Sequence, residues 1–227
     1  MDKFNIAIDG PGAAGKSTVA RIVAKLLGFV YVDTGAMYRA VTWKALQTGI
    51  SPADKQRLTE MASALRIELH PGEQAQQVLL DGEDVTDYIR SIAVTQNVSA
   101  IAAIPEIRRL LVEKQQDMAR SKGVVMDGRD IGTHVLPDAE LKIFMTASVR
   151  ERAERRYLEM KAKHEDVTLE QVEQEIAERD RKDEQREASP LVQAPDAVLL
   201  DTSGLSVTQV AERILELAQA AAGKGIR

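Results

Sequence analysis

GPGAAGKS, residues 10–17, fits the pattern G-x-x-x-x-G-K-[ST], and what flanks it decides how it is read. Before it runs FNIAI (4–8), a short apolar segment of strand character. After it comes STVARIVAKLLG (17–28), whose Val19, Ile22, Val23, Leu26 and Leu27 recur at helical spacing. Strand, glycine-rich turn and helix form the context that a phosphate-binding loop requires. Glycines let backbone N–H groups converge on phosphate oxygens, and the helix N-terminus adds its partial positive charge. Gly10, Pro11, Gly12, Ala13, Ala14, Gly15, Lys16, Ser17 and Thr18 are therefore expected to cradle the phosphates of ATP or GTP. Lys16 would reach the β- and γ-phosphates, and the Ser17 hydroxyl would ligate Mg²⁺.

Working outward, Gly28 suits the C-terminal cap of that first helix. FVYV (29–32) reads as a second strand and GAMYRAVTWKALQTG (35–49) as a second helix. GVVMD (123–127), LKIFMTA (141–147) and AVLLD (197–201) read as further strands, the last followed by a helix from about 207 to 222 with Ser206 as N-cap. Strands alternating with helices predict an α/β fold: a parallel sheet with helices on both faces. Two stretches break the rhythm. Residues 66–89 carry short strand-like runs around the turns HPGE (70–73) and DGED (81–84), a small β-rich insert. Residues 148–187 read as two charged helices joined near AKHEDVT (162–168). The terminal AAGKGIR (221–227) is expected to fray, its glycines ending the last helix.

Composition bounds the function. With 227 residues, 44% of them hydrophobic, the chain can bury one core with a small appendage. No window is apolar over the eighteen residues that a membrane span needs. Met1-Asp2-Lys3 leads straight into FNIAI without a secretory pattern, so the expected compartment is the cytoplasm. The absence of cysteine excludes disulfides and thiolate chemistry. A net charge of −5, from 30 basic and 35 acidic residues interspersed, argues against a nucleic-acid polymer as partner. No long exposed apolar stripe is evident, and the expected state is a monomer.

Further candidate residues follow the strands. In VDTGAMYR (32–39), Thr34 at the cap of the next helix and Arg39 one turn inside it suit a phosphate. In VVMDGRDIGT (124–133), a buried strand delivers Asp127, Arg129 and Asp130 to the carboxyl end of the sheet, where open α/β folds bind ligands. In AERDRKDEQRE (177–187), Arg179, Asp183 and Arg186 share a helical stripe with the apolar Ile176, Val172 and Leu169. That stripe turns charges towards the protein's own body, which makes sense around an anionic cleft. The base-reading N-K-x-D segment of GTPases is missing, and a compact chain with a second anion site fits a small-molecule kinase.

Taken in order, GPGAAGKS, DTGAMYRA, VSAIAAIPEIR, DGRDIGT and ERDRKDEQR resemble the bacterial cytidylate (CMP/dCMP) kinases over nearly the whole chain, β-rich insert included. Thr34 stands where some members carry Ser. The resemblance implies a P-loop kinase with a core (1–33, 123–147 and 188–227), an acceptor-nucleotide region (34–122) and a helical lid (148–187). It implies ATP and CMP or dCMP as substrates, with Mg²⁺. It puts cytosine against Ser99, Arg108 and Asp130, and the acceptor's phosphate against Thr34, Arg39 and Arg129. It puts the ribose against Arg179 and Asp183, and Arg186 near the phosphates; Lys16, Arg179 and Arg186 would be catalytic. Arg152 and Arg156 resemble a pair that stacks on adenine and touches phosphate. Asp33 or Asp127 could support Mg²⁺ through water, and the sequence does not choose between them. The nearest alternatives are kinases of the same fold for UMP, AMP or shikimate. A non-catalytic nucleotide sensor is the other.

Overall fold

The computed structural model describes residues 3–72, 76–162 and 166–224. β1 (Asn5–Asp9) is buried along its whole length and leads through the glycine-rich loop into α1 (Lys16–Leu27). Gly28 takes the left-handed conformation at φ 68° and closes α1, as its lack of a Cβ allows. The buried face of α1 is Val19, Ala20, Val23 and Ala24, whereas Leu26 is exposed. Periodicity alone favoured the larger side chains; the small alanines let the helix lie close. β2 (Val30–Asp33) runs into α2 (Thr34–Gln47), α3 (Lys55–Ala64), β3 (Ile67–His70), β4 (Gln77–Leu80) and β5 (Glu83–Asp84). After a 3₁₀ turn (Tyr88–Arg90) come α4 (Ile92–Ala102), α5 (Pro105–Ala119) and β6 (Val124–Asp127). A π-helical turn (Ile131–Val135), β7 (Leu141–Thr146), α6 (Val149–Ala162), α7 (Leu169–Gln185), β8 (Val198–Asp201) and α8 (Val207–Lys224) complete the order.

The main sheet has the order β2-β6-β1-β7-β8, and the ladders β6–β1, β1–β7 and β7–β8 are parallel. β1 thus lies between two neighbours, and its end registers Ile8 with Asp127 and Asp9 with Phe144. The fold is the α/β arrangement that the sequence predicts. The 66–89 stretch forms an antiparallel sheet, β3-β4-β5. Glu73 of its HPGE turn, residues 163–165 of AKHEDVT and the final 225–227 lie outside the described residues. The last helix continues past the expected end to Lys224, and Ser206 Oγ accepts from the Gln209 N–H at its start.

The chain divides into two compact units, residues 1–30 with 122–227, and residues 31–121. The larger unit buries Ile6, Ile8, Val125, Met126, Ile143 and Met145 along its strands, while Ala153, Met160, Val172 and Ile176 join α6 to α7. The smaller unit has its own core around Met37, Val41, Leu58, Leu80, Ile101, Ile107 and Leu111. Side-chain caps start its helices: Asp54 for α3 and Ser91 for α4, with Pro105 in the first turn of α5. Among the described residues no helix is long and apolar enough to cross a membrane.

Candidate active site

The glycine-rich loop begins where no side chain fits. Gly10 has φ 145°, and a Cβ there would meet the Met145 carbonyl oxygen at 2.1 Å. Ala13 follows at φ 59° and Gly15 at φ 84°, which turns successive amides inward ahead of α1. Lys16 is buried, and its ammonium donates to the Pro11 carbonyl at 2.6 Å. The Ser17 hydroxyl donates to Asp127 Oδ2 at 2.9 Å, from the end of β6. Over Gly12 lie two guanidinium side chains: a Cβ built there would stand 3.6 Å from Arg129 Nη2 and 3.9 Å from Arg179 Cδ. Three cations therefore share this corner of the larger unit.

Their charges act on one another. Burial, the largest influence, and then the Arg129 and Arg179 charges push Lys16 down to about 7 against the pull of Asp127 and Asp9. Desolvation, then Arg129, pushes Arg179 down to about 10, with Asp183 and Asp180 opposing. The buried Nε of Arg179 has no hydrogen-bond partner among the described residues. Arg129 Nε donates to Asp183 Oδ2 at 2.9 Å. Burial would raise the Asp183 carboxyl, yet the Arg129 and Arg179 charges outweigh it and hold Asp183 below the usual carboxylate range. Arg186 approaches Asp130 at 3.8 Å, both side chains being buried, and its Nε donates to the Ser189 carbonyl at 2.5 Å. The charged stripe of α7 thus faces the body of its own unit through Arg179 and Asp183, which meet Arg129 and Gly12 there. Arg186, by contrast, stands just past the helix in extended backbone, off the expected helical stripe, and approaches Asp130 from the cap.

Arg152 and Arg156 part company. Arg152 is buried and gives its donors to protein: the Ala147 carbonyl at 2.9 Å, the Gly12 carbonyl at 3.1 Å and Asp180 at 2.7 Å. It ties α6, α7 and the phosphate loop together. Arg156 is partly exposed and pairs with Glu159 at 3.2 Å, although its charge still reaches Arg179. Asp180 is a residue that the sequence reading passed over. It falls four positions after Ile176 and eight after Val172, on the same buried stripe, so the signal was present.

In the smaller unit the helix cap is Asp33 rather than Thr34: the Asp33 carboxylate accepts from the Ala36 N–H at 2.9 Å and lies 3.7 Å from Arg90. Thr34 is the first, buried residue of α2. Arg39 donates to the Ile89 carbonyl at 3.2 Å and Thr95 Oγ1 at 2.9 Å. Arg108 donates to the Ala102 carbonyl at 3.0 Å and stands 5.2 Å from the centre of the Tyr38 ring, at the end of α4, which also carries the half-buried Ser99. Gln76 had no sequence signal. Its amide accepts from the Asp33 N–H at 2.9 Å and donates to the Tyr31 carbonyl at 2.5 Å, fastening the β3–β5 insert to the turn before α2.

Comparison with known proteins fits this chemistry. The family model described as cytidylate kinase matches residues 6–220. A cytidylate kinase of Lysinibacillus sphaericus is 56% identical over 216 residues, 95% of this chain and 96% of its own length. One of Bacillus cereus is 53% identical over 218 residues, 96% of this chain and 97% of its own. The crystal structure of shikimate kinase from Bacteroides thetaiotaomicron aligns with a TM-score of 0.51 at 12% identity, over 96% of this chain and 99% of that one; at this identity it shows the fold alone.

Two outcomes follow from the geometry. Phosphate anions draw Lys16 back towards the ordinary lysine range, so ATP binding at pH 8 takes up about one proton. Calorimetry in buffers of different ionisation heat measures this, and Lys16→Met should abolish the uptake. Arg152→Ala leaves Asp180 buried without its partner and costs about 3–5 kcal/mol in urea unfolding, against about 0.5 kcal/mol or less for Arg156→Ala. Equal losses would remove the tie assigned to Arg152.

Proposed function

The chain belongs to the cytidylate kinase family and is a nucleoside monophosphate kinase, and from that premise we propose that it transfers the γ-phosphoryl group of ATP to CMP and dCMP, with Mg²⁺. The observation that carries the reading is the meeting of Arg129 and Arg179 over Gly12 of the phosphate loop. Guanidiniums brought there are suited to an acceptor phosphate beside donor phosphates. The proposed acceptor contacts are Thr34, Arg39 and Arg129 for the phosphate, and Arg179 and Asp183 for the ribose. Asp130, Arg108 and Ser99 would read the base. Cytosine offers an N4 amino donor beside N3 and O2 acceptors, so a carboxylate matches the first and the other two match the rest. Uracil would set its O4 against Asp130, acceptor to acceptor, a repulsion that disfavours it.

In the proposed mechanism an oxygen of the acceptor's phosphate attacks the γ-phosphorus as the bond to the β-γ bridging oxygen breaks, giving CDP and ADP. The attacking group is already ionised, so positioning and charge neutralisation dominate. Gly10 to Thr18 hold the donor phosphates. Lys16, Arg179 and Arg186 neutralise the charge on the transferred group. Ser17 and Asp127 present the hard oxygen donors that Mg²⁺ prefers, Asp127 through water. Asp33 is the weaker candidate for that support, because its carboxylate caps α2. When bound, the ion supplies charge neutralisation across the β- and γ-phosphates. Within this proposal residues 148–187 act as the lid that excludes water, residues 34–122 take the acceptor, and the remainder forms the core. Arg156 faces the adenine side, while Arg152 acts through the phosphate loop. A monomer acting in the cytoplasm completes the proposal.

An ADP-release assay with ATP·Mg²⁺ and CMP, dCMP, UMP, AMP or shikimate in parallel tests it. Turnover is expected with CMP and dCMP and little with the others; turnover with UMP or AMP would remove Asp130 as the base reader. Arg186→Ala should lower kcat by about 10³-fold while the KM for ATP changes little, and a kcat within about tenfold of the parent would remove its catalytic role.

A further inference from the structure

Asp9 ends β1 and immediately precedes Gly10, and its carboxylate touches neither substrate in the proposed transfer. It is only 4% exposed. Both of its oxygens are occupied by one short piece of backbone: Oδ1 accepts from the Ile131 N–H at 2.8 Å, and Oδ2 from the Gly132 N–H at 2.7 Å. These are the first amides of the π-helical turn, which have no acceptor within the turn itself. The Asp130 carbonyl meanwhile accepts from the N–H groups of His134 at 2.9 Å and Val135 at 3.2 Å. The backbone that follows the Arg129–Asp130 pair is therefore pinned at the Ile131 and Gly132 amides and at the Asp130 carbonyl. Gly132 fits because it lacks a side chain; a Cβ there would stand 3.2 Å from Lys142 Cδ and 3.3 Å from Asp9 Oδ2.

We propose that Asp9 is a positioning residue for phosphoryl transfer, a clamp that holds the turn directly following Arg129 and Asp130 in fixed register with the phosphate loop that Asp9 itself introduces. The inference rests on the acceptor role proposed for that pair. Chemistry explains why the clamp is an aspartate. Two converging N–H donors need two acceptor oxygens, and an asparagine of the same shape would set its amino group against one of them. The carboxylate is kept at a cost: burial, the largest influence, pushes it up to about 6, the Asp130 charge pushes the same way, and the two amides and Lys16 oppose. The charged groups around it are Lys16 on α1, Asp130 beside the turn, and Lys142 on β7, whose ammonium is engaged by Asp196 at 2.8 Å. A folded-state value above the unfolded one means that ionised Asp9 lowers stability as pH rises through about 6. The fold accepts that loss and gains a fixed turn.

The test compares the parent with Asp9→Asn by hydrogen–deuterium exchange over residues 128–136 of the free enzyme, by steady-state kinetics and by thermal unfolding. Exchange at 131–132 should quicken, and the KM for the accepted monophosphate should rise about tenfold or more, with the KM for ATP within about threefold. In the parent that acceptor KM should also rise on acidification through about pH 6 more steeply than in Asp9→Asn. The acceptor's own phosphate titrates in this range for both proteins, so the ratio isolates Asp9. Unchanged exchange overturns the clamp. Faster exchange and a lower Tm with both KM values unchanged also overturns the proposal, since Asp9 would then be structural only. If the assay accepts a monophosphate other than CMP, the substrate reading fails while the clamp is still read with the acceptor that turns over. If Asp9→Asn does not fold, Gly132→Ala, which keeps the carboxylate but crowds its Oδ2, should show the same exchange and KM changes, and their absence overturns the proposal.

Discussion

Arg129 and Arg179 converge on Gly12 beside Lys16; both make Lys16 less willing to hold its proton, and Arg129 does the same to Arg179. Repulsion of this kind destabilises a folded chain unless carboxylates stand close by and burial elsewhere outweighs it. The larger unit supplies both. Asp183 is hydrogen-bonded to Arg129, Asp180 forms an ion pair with Arg152, and the charges of Asp127 and Asp9 oppose the loss of the Lys16 proton. Ile6, Ile8, Met126 and Ile143 lie almost fully buried in the strands beneath. In the proposed reading, the Arg129 and Arg179 guanidiniums stand ready over Gly12 for phosphate oxygens, and Lys16 regains its proton as the phosphates bind. Less reorganisation is then left for the moment of reaction.

Much of this was legible in the sequence because two of its signals are local. The phosphate loop is written in consecutive residues, and Gly10 is fixed by a clash between backbone and side chain that no tertiary detail alters. The inward stripe of α7 follows from helical spacing, as Val172, Ile176 and Asp183 bear out by their burial. What escaped was long-range. Asp180 lies on that stripe, but its partner Arg152 stands on another helix and spends its donors on main-chain carbonyls as well. The pairing of Ser17 with Asp127 spans 110 residues and that of Asp9 with Ile131 spans 122; no periodicity encodes either. The cap of α2 was misread by one residue. Asp and Thr both cap helices, and only the backbone decides which of two neighbours stands outside the first turn.

The smaller unit shows a different economy. Arg39 and Arg108 each donate to a carbonyl, Ile89 for the first and Ala102 for the second, so main chain takes part in orienting both side chains. The β3–β5 insert takes part in this orientation. Gln76 bridges Tyr31 and Asp33, and the 3₁₀ turn after the insert provides both the Ile89 carbonyl and Arg90. Tightening or loosening the insert therefore acts on the start of α2 and on Arg39.

Sharing a fold with a shikimate kinase at 12% identity locates the source of difference within such proteins. Strands buried on both faces admit little beyond branched apolar side chains, so they can specify a sheet but not a substrate. Choice enters at the strand ends, where the chain leaves the sheet and polar side chains can be held by backbone. Asp9 ends β1, Asp127 ends β6, and Arg129 and Asp130 follow directly. These ends are adjacent because β1 and β6 pair in parallel, with Ile8 opposite Asp127 and the Gly128 N–H donating to the Ile8 carbonyl at 3.0 Å. Register within the sheet thus sets the spacing of the site to within a hydrogen bond. A carboxylate clamping the turn beyond β6 carries that spacing from the sheet to the residues proposed to meet the acceptor. Those residues can be exchanged for others without disturbing the sheet, provided that the clamp and the glycine opposite it are kept.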